Sequence, residues 1–193
     1  QFRADGVVQP GATVQLGLRD WQVHAAPGHD PHSVVLFEPQ RRLLISADAL
    51  WERGFGVVFP ELEGEQAFAE VEATLDVIEQ LQPEWVLPGH GGMFSDVAGA
   101  LAVARNRLAV FQADPLRHAQ YAAKVLLKYK LLEWQQASCQ QVQDWCASTP
   151  LMQQMRQRYF ADQDPAAWVL ALLQALAAAR AVVWEGDQVR IVD

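Results

Sequence analysis

Two histidines and an aspartate occur within four residues of a turn that leads into an apolar segment. They are His29, Asp30 and His32 in the stretch APGHDPHSVVLF. Two other apolar segments end in a similar residue: LLIS runs into Asp48, and WVLP runs into His90. Imidazole and carboxylate groups suit zinc, or iron and manganese where more oxygen ligands join, and a carboxylate can bridge two ions. Each stretch alone is also typical of a polar turn or a helix cap, so the metal prediction depends on their combination.

The residues that precede these side chains read as short strands and one helix. Short apolar and β-branched segments alternate with Gly, Pro and Asp turns, which predicts strands at Ala12–Leu16, Trp21–Ala25, Ser33–Phe37, Leu43–Ser46 and Trp85–Leu87. Apolar residues at helical spacing predict a helix over Glu65–Gln80, which Pro83 ends. Strands, a helix and a further strand indicate an α/β fold in which strand ends hold the candidate ligands rigidly.

The second half of the chain reads as mainly helical. Predicted helices start at Val97, at the pairs Asp114-Pro115 and Asp164-Pro165, and in the shorter segments Ser138–Ala147 and Leu151–Phe160. The chain ends in two strands around a Glu-Gly-Asp turn. Several short helices closed by a hairpin predict a winged-helix-like domain over residues 97–193, after an α/β domain over residues 1–96.

Charge and cysteine content narrow the functional class. Residues 1–96 carry five Arg, no Lys and fifteen Asp or Glu, a net charge of −10, whereas residues 97–193 carry ten basic and eight acidic residues, a net charge of +2. An acidic first half disfavours a nucleic-acid partner. No apolar run is long enough to span a membrane. Cys139 and Cys146 lie outside any metal-binding spacing and are interpreted as reduced thiols, which favours a cytoplasmic location.

Taken in order, the PGH turn, the strand ending in Asp48 and the second PGH turn resemble the later part of the metallo-β-lactamase superfamily. The likeness covers residues 12–95 and is strongest to glyoxalase II-like hydrolases and their relatives with a winged helix. It implies the C-terminal half of an αββα sandwich followed by a mainly helical, winged-helix-like domain. It also implies two divalent metal ions, with zinc expected and iron or manganese as alternatives.

The resemblance gives each residue a role. His29 is expected to bind the first metal, His90 the second, and Asp48 to bridge both as the catalytic carboxylate that positions the nucleophile. Ala47 stands where the superfamily usually has glycine. Asp30 is expected either to orient His29 or to cap the turn.

Other residues near these positions have open assignments. His32 is expected to face the substrate or simply solvent. Trp51, Phe55 and Phe59 are expected to form the wall of an apolar pocket or to pack beneath the helical domain. His24 is interpreted as an ordinary strand residue, and His118 as facing solvent or the domain interface.

The superfamily's earlier metal-binding motif, His-x-His-x-Asp-His, is absent from the sequence. Three ligands shared between two metals leave both shells incomplete. We therefore expect the missing ligands on a segment upstream, and we expect the chain as written to be inactive. A sheet from half of a sandwich would also expose an apolar face, which an N-terminal segment or a second copy of the chain would cover.

These observations predict a hydrolase that uses a metal-bridging hydroxide on an ester, a thioester or a similar bond of a small molecule. Two alternatives remain. One is a metal-dependent ribonuclease, for which Arg117, Lys124, Lys128 and Lys130 form a modest basic run. The other is a non-catalytic winged-helix interaction module, for which the polar residues around Arg156 are suggestive.

Overall fold

The computed structural model describes residues 6–192 and divides the chain into two compact units, residues 1–113 and residues 114–193. The first unit contains five strands: β1 (Thr13–Leu16), β2 (Arg19–Ala25), β3 (Val34–Glu38), β4 (Leu43–Ala47) and β5 (Trp85–Pro88). It also contains three helices: α1 (Phe59–Glu63), α2 (Phe68–Leu81) and α3 (Val97–Ala113).

The five strands form one sheet in the order β1-β2-β3-β4-β5. Neighbours from β1 to β4 are antiparallel, whereas β4 and β5 are parallel. A parallel pair needs a long connection, and residues 48–84, which include α1 and α2, supply it. Strands β2, β4 and β5 consequently run in the same direction, so their carboxyl ends lie at the same end of the sheet. The three candidate metal ligands, His29, Asp48 and His90, come after these strand ends in the sequence.

The two faces of the sheet differ in burial. Val35, Phe37, Leu44 and Val86 share one face through the strand register and are at most 6% exposed. The opposite face carries Leu36, Ile45 and Leu87 side by side across three strands, and all three are half-buried. Trp85 and Leu16 are exposed. The sheet therefore has one closed apolar face and one open apolar face.

The boundary between the units falls after α3, whereas the sequence predicts it before this helix, at residues 96/97. Helix α3 belongs to the first unit because it packs against α2. Arg105 of α3 donates to Asp76 and Glu79 of α2 at 2.6 and 2.8 Å. The step in net charge along the sequence thus does not coincide with the step in packing.

The second unit is built from four helices and three short strands. They are α4 (Pro115–Trp134), β6 (Gln136–Ser138), α5 (Cys139–Ser148), α6 (Pro150–Tyr159), α7 (Pro165–Ala178), β7 (Val182–Glu185) and β8 (Gln188–Ile191). The strands form an antiparallel sheet in the order β6-β8-β7, and Gly186 turns the final hairpin at a φ of 68°. The winged-helix assignment stays a prediction.

Among residues 6–192, no helix combines the length and the apolar character needed to cross a membrane.

Candidate metal centre

Asp48 lies at the centre of the candidate site, directly after β4. The preceding Ala47 adopts a left-handed conformation with a φ of 46°, and the pairing of β4 with β5 is irregular between Ile45 and Ala47. This turn directs the two carboxylate oxygens of Asp48 at two histidines. Oδ2 lies 3.4 Å from Nε2 of His29, and Oδ1 lies 3.5 Å from Nε2 of His90.

His29 follows β2, and a backbone carbonyl fixes its ring. Its Nδ1 lies 2.7 Å from the carbonyl oxygen of Val57. A carbonyl oxygen only accepts hydrogen bonds, so Nδ1 must carry the proton and donate. In the neutral imidazole with this tautomer, the lone pair of Nε2 lies on the side that faces Asp48. Metal-binding histidines are commonly held in the same way, with one ring nitrogen on a backbone carbonyl and the other on the ion.

His90 follows β5 and is the more open of the two, with half of its side chain exposed. Its ring meets the indole ring of Trp51 edge-on, with centroids 5.0 Å apart. The turn around His90 is closed by two backbone hydrogen bonds between Val86 and Phe94, at 2.9 and 3.1 Å. Strand β5 and residue 94 thus enclose the turn that presents this histidine.

The distances suit two partial metal shells. Both separations are longer than an ordinary hydrogen bond. Ligand atoms about 2.0–2.1 Å from a tetrahedral zinc ion stand about 3.3 Å from each other, which is close to the observed 3.4 and 3.5 Å. The donor set of imidazole nitrogen and carboxylate oxygen also suits zinc, iron or manganese. The residues present therefore fit an ion between His29 and Asp48, and another between Asp48 and His90.

Each of these ions would have only two of its ligands among the described residues. Within residues 6–192, no group of three or more His, Cys, Asp or Glu side chains is arranged so that it could hold a metal ion. Each pair around Asp48 therefore offers two ligand atoms, and a complete shell would need further ligands from water, from substrate or from other protein groups.

Two glycines allow the close approach of backbone to this site. A Cβ atom on Gly56 would lie 2.7 Å from Nδ1 of His29 and 2.9 Å from Cβ of Asp48. A Cβ atom on Gly89 would lie 2.9 Å from Oδ1 of Asp48 and 3.0 Å from the carbonyl group of Ala47. The amide of Gly56 also donates to the Asp48 carbonyl at 2.8 Å, and that of Gly89 donates to the Ala47 carbonyl at 2.7 Å. Any larger residue at either position would displace the candidate ligands.

Asp30 and His32 lie beside the site without joining it. Oδ1 of Asp30 accepts from the backbone N–H of His32 at 2.8 Å, which is a turn cap. The group bonded to His29 Nδ1 is the carbonyl of Val57, so of the two roles considered for Asp30 its contacts match the cap. His32 is exposed.

The three aromatic residues after Asp48 have different environments. Trp51 is half-buried and donates from its indole Nε1 to Oδ1 of Asp48 at 3.0 Å. Phe59 meets the ring of His29 edge-on at 5.2 Å. Phe55 is only 2% exposed and packs edge-on against Phe111 of α3, with ring centroids 6.2 Å apart. Two of these residues thus contact the candidate ligands, whereas Phe55 belongs mainly to the core.

The remaining two histidines, His24 and His118, are not among the candidate metal ligands. His24, on β2, is half-buried, and burial lowers its pKa. Of the two environments expected for His118, solvent is wrong: the residue is 1% exposed, and burial lowers its pKa to about 4. Its placement at an interface between domains stays a prediction.

Sequence reasoning missed the backbone groups that organise the site. The Val57 carbonyl and the close approaches at Gly56 and Gly89 carry no sequence signal of metal chemistry. The stretches GFGVV and PGHGG nevertheless held a partial signal, because glycines beside a candidate ligand often mark close backbone contact.

The fold and the site together define an α/β protein with a carboxylate shared between two histidines at the carboxyl ends of parallel strands. Residues 2–90 match the family model of the metallo-beta-lactamase superfamily.

Curated relatives match the same half of the chain. The acyl-coenzyme A thioesterase MBLAC2 of Homo sapiens and that of Bos taurus are each 28% identical to it over 99 residues, and that of Gallus gallus is 26% identical over 92 residues. The human match covers 49% of this chain and 36% of the relative. The matched stretch therefore spans about a third of the length of these relatives.

Among solved structures, a metallo-beta-lactamase family protein from Thermus thermophilus is 19% identical, with a TM-score of 0.45 over 96% of this chain and 54% of that chain. A beta-lactamase domain protein from Burkholderia ambifaria is 23% identical, with a TM-score of 0.45 over 96% of this chain and 51% of that chain.

Proposed function

We propose that this chain contributes the bridging carboxylate and two histidines of a metal-dependent hydrolase that acts on an ester, a thioester or a similar bond. The observation that carries the proposal is the placement of each Asp48 oxygen against the Nε2 atom of a different histidine. When bound, divalent metal ions lower the pKa of water and polarise a carbonyl group, which is the chemistry that hydrolysis of such a bond needs.

The residues of the chain supply position and charge. Asp48 places one negative charge between the two imidazoles and offers one oxygen to each side. The Val57 carbonyl keeps the proton of His29 on Nδ1, so that Nε2 stays available as a ligand. Zinc is the metal we propose first, with iron and manganese as alternatives, because two imidazoles and one carboxylate suit all three.

A small acyl thioester is the substrate class we propose to test first. Its support is the name of the curated relatives, acyl-coenzyme A thioesterase, at 26–28% identity over about half of this chain. The match spans about a third of each relative, so about two thirds of each relative lies outside the likeness.

A nucleic-acid substrate has less support. In the basic run of the second unit, Arg117 pairs with Asp114, and Lys130 pairs with Glu133 and lies over the ring of Trp134. Helix α7, between α6 and the final hairpin, carries no charged residue at all. Helix α7 is therefore poorly suited to phosphate contacts, and a DNA-binding winged helix would have to use α6, which carries Arg156 and Arg158.

We further propose that another layer of protein covers the open face of the sheet, around Leu36, Ile45 and Leu87. Its support is that these three aliphatic side chains, side by side on neighbouring strands, remain only half-buried. An upstream segment and a second copy of the chain are both candidates. For the compartment, we propose the cytoplasm, because Cys139 and Cys146 are both unpaired thiols.

The experiment compares zinc binding and acyl-CoA hydrolysis for the unmodified protein, His29→Ala and His32→Ala. His32 is the matched control, because it lies three residues away in the same turn and has an exposed side chain. We expect His29→Ala to lose zinc and activity and His32→Ala to keep both. Equal zinc binding by all three proteins would overturn the proposed metal site. Zinc binding that depends on His29 without thioester hydrolysis would overturn only the substrate class.

A further inference from the structure

Trp51 contacts both Asp48 and His90, the two residues of one candidate ligand pair. Its indole Nε1 donates to Oδ1 of Asp48 at 3.0 Å, and the edge of its ring system meets the ring of His90 at 5.0 Å and 78°. Oδ1 is also the oxygen that faces Nε2 of His90. One indole therefore holds the carboxylate oxygen and the histidine between which we place the second ion.

The backbone that carries Trp51 is fixed by short-range hydrogen bonds. The amide of Trp51 donates to the carbonyl of Gly54 at 2.6 Å, and the hydroxyl of Ser46 donates to the carbonyl of Leu50 at 2.6 Å. Leu50 and Ser46 are both fully buried. The indole thus projects from a turn that is anchored in the core, which makes it a suitable fixed point for a neighbouring side chain.

The two histidines have different means of orientation. The Val57 carbonyl holds Nδ1 of His29, whereas His90 is half exposed and follows a glycine in a turn that also contains Gly91 and Gly92. Aromatic rings in edge contact stabilise each other's orientation beyond the effect of the buried area. The Trp51 ring is therefore placed to restrict the imidazole of His90.

Oδ1 of Asp48 can accept the hydrogen bond from Trp51 and bind an ion at the same time. An ionised carboxylate oxygen offers about two lone-pair sites. If the Trp51 N–H occupies one site on Oδ1, the other remains for an ion, and the hydrogen bond decides in which direction it points.

We propose that Trp51 is a positioning residue for the ion between Asp48 and His90, and that it acts on this ion more than on the ion between Asp48 and His29. The inference rests on the proposed function, since it assumes that Asp48 and the two histidines bind metal. Trp51 touches no reacting atom in this account. Its effect passes through Oδ1 of Asp48 and the ring of His90.

The test is a Zn²⁺ titration of the unmodified protein, Trp51→Phe and Trp184→Phe, combined with NMR of ¹⁵N-labelled indole and imidazole groups. Trp51→Phe keeps an aromatic ring but removes the N–H donor. Trp184→Phe is the same substitution at an exposed tryptophan of the helical unit. Urea unfolding of each variant confirms that it folds.

We expect Trp51→Phe to weaken one zinc-binding step about tenfold, the lower end of the usual effect of removing a group that orients a metal ligand. The step affected should be the one that shifts the His90 imidazole signal, and the step that shifts His29 should change less. Trp184→Phe should bind zinc like the unmodified protein. In the unmodified protein, the indole signal that Trp51→Phe removes should move when the His90 step saturates.

The outcomes separate the inference from the proposed function. If zinc shifts His29 and His90 but Trp51→Phe binds it with unchanged affinity, the inference is wrong and the proposed function stands. If zinc shifts neither histidine of the unmodified protein, both fail. If Trp51→Phe does not fold, the Trp51 indole signal of the unmodified protein, assigned through the backbone signals of neighbouring residues, decides, because a Trp51 N–H that does not respond to zinc contradicts the proposed role.

Discussion

Replacing Gly89 by alanine tests whether the end of β4 and the end of β5 hold the candidate centre as tightly as the structure indicates. The added Cβ would lie 2.9 Å from Oδ1 of Asp48 and 3.0 Å from the carbonyl carbon and oxygen of Ala47, whereas ordinary contacts begin at 3.4 Å. The shortfall against Oδ1 is 3.4 − 2.9 = 0.5 Å. Two of the three close atoms belong to the backbone, so no side-chain rotation relieves them.

The cost can fall on stability or on metal binding. Forcing an extra methyl group into a filled site costs about 1–3 kcal/mol. If the strand ends separate, the 2.7 Å hydrogen bond from Gly89 to Ala47 lengthens, and the free energy of unfolding drops by this amount. If the Asp48 carboxylate moves instead, zinc affinity drops, by about tenfold for each 1.4 kcal/mol. The two losses together should amount to about 1–3 kcal/mol.

The assay measures both quantities for Gly89→Ala and for Gly92→Ala, by urea unfolding and by Zn²⁺ titration. Gly92 lies in the same turn, has no positive φ, and has no atom within 4 Å of a built Cβ. Its substitution should change stability by less than about 0.5 kcal/mol. If Gly89→Ala matched Gly92→Ala in both measurements, the close approach of Gly89 to Asp48 would be refuted.

Three further predictions concern single residues. Ala47→Gly removes the strain of a left-handed alanine with a φ of 46° but adds the conformational entropy of glycine to the unfolded state. The net effect should be a rise of about 0.5–1 kcal/mol in the free energy of unfolding, measured with urea. A lower free energy of unfolding would contradict the strained turn. Burial lowers the pKa of His118 to about 4, from 6.5 in the unfolded state, so below pH 6.5 the unfolded state binds a proton that the folded state does not. The free energy of unfolding should therefore fall by on the order of 3 kcal/mol as the pH drops from 6.5 to about 4. His118→Gln should show a smaller fall when urea unfolding is measured across this pH range, and an equal fall in both proteins would refute the prediction. Burial raises the pKa of the Cys146 thiol to about 12, so iodoacetamide at pH 8 should modify half-buried Cys139 faster than Cys146 in the folded protein, and equal rates would count against the buried position.

Local sequence patterns predicted most of the strands and helices because the controlling signals are local. The Asp164-Pro165 pair marks the start of α7, where the Asp164 side chain accepts from the Ala167 amide at 2.9 Å. At the other such pair, α4 does begin at Pro115, but the Asp114 side chain makes no capping hydrogen bond and pairs with Arg117 instead. The same sequence signal thus located both helix starts through different interactions.

Two short elements escaped the sequence analysis. Strand β6 has only three residues, Gln136–Ser138, and pairs with residues of β8 that lie 50 to 54 positions later, so nothing in its own sequence indicates it. Helix α1 begins inside the apolar stretch GFGVVFP, at Phe59, and its five residues are too few to show helical periodicity. Elements this short depend on their long-range partners.

The candidate site was predicted in its residue types but not in its supporting contacts. Proximity of Asp48 to both histidines follows from three strands that run in the same direction, which the sequence could indicate. The Val57 carbonyl on His29 and the Trp51 indole on Asp48 depend on the path of residues 49–58, which no short motif specifies. The burial of His118 was not predicted, because the buried residues that follow it on α4, Ala119, Ala122 and Ala123, are alanines and give no strong apolar signal.

The central claim is that His29, Asp48 and His90 bind divalent metal, and a Zn²⁺ titration of ¹⁵N-histidine-labelled protein tests it most directly. The chain has five histidines, so His24, His32 and His118 serve as controls within the same sample. Before zinc is added, and at a pH where the imidazole is neutral, His29 should carry its proton on Nδ1. On addition, the Nε2 signals of His29 and His90 should shift, and Asp48→Asn should weaken both responses. Shifts confined to His32, or shifts of His29 and His90 that persist unchanged in Asp48→Asn, would contradict the account.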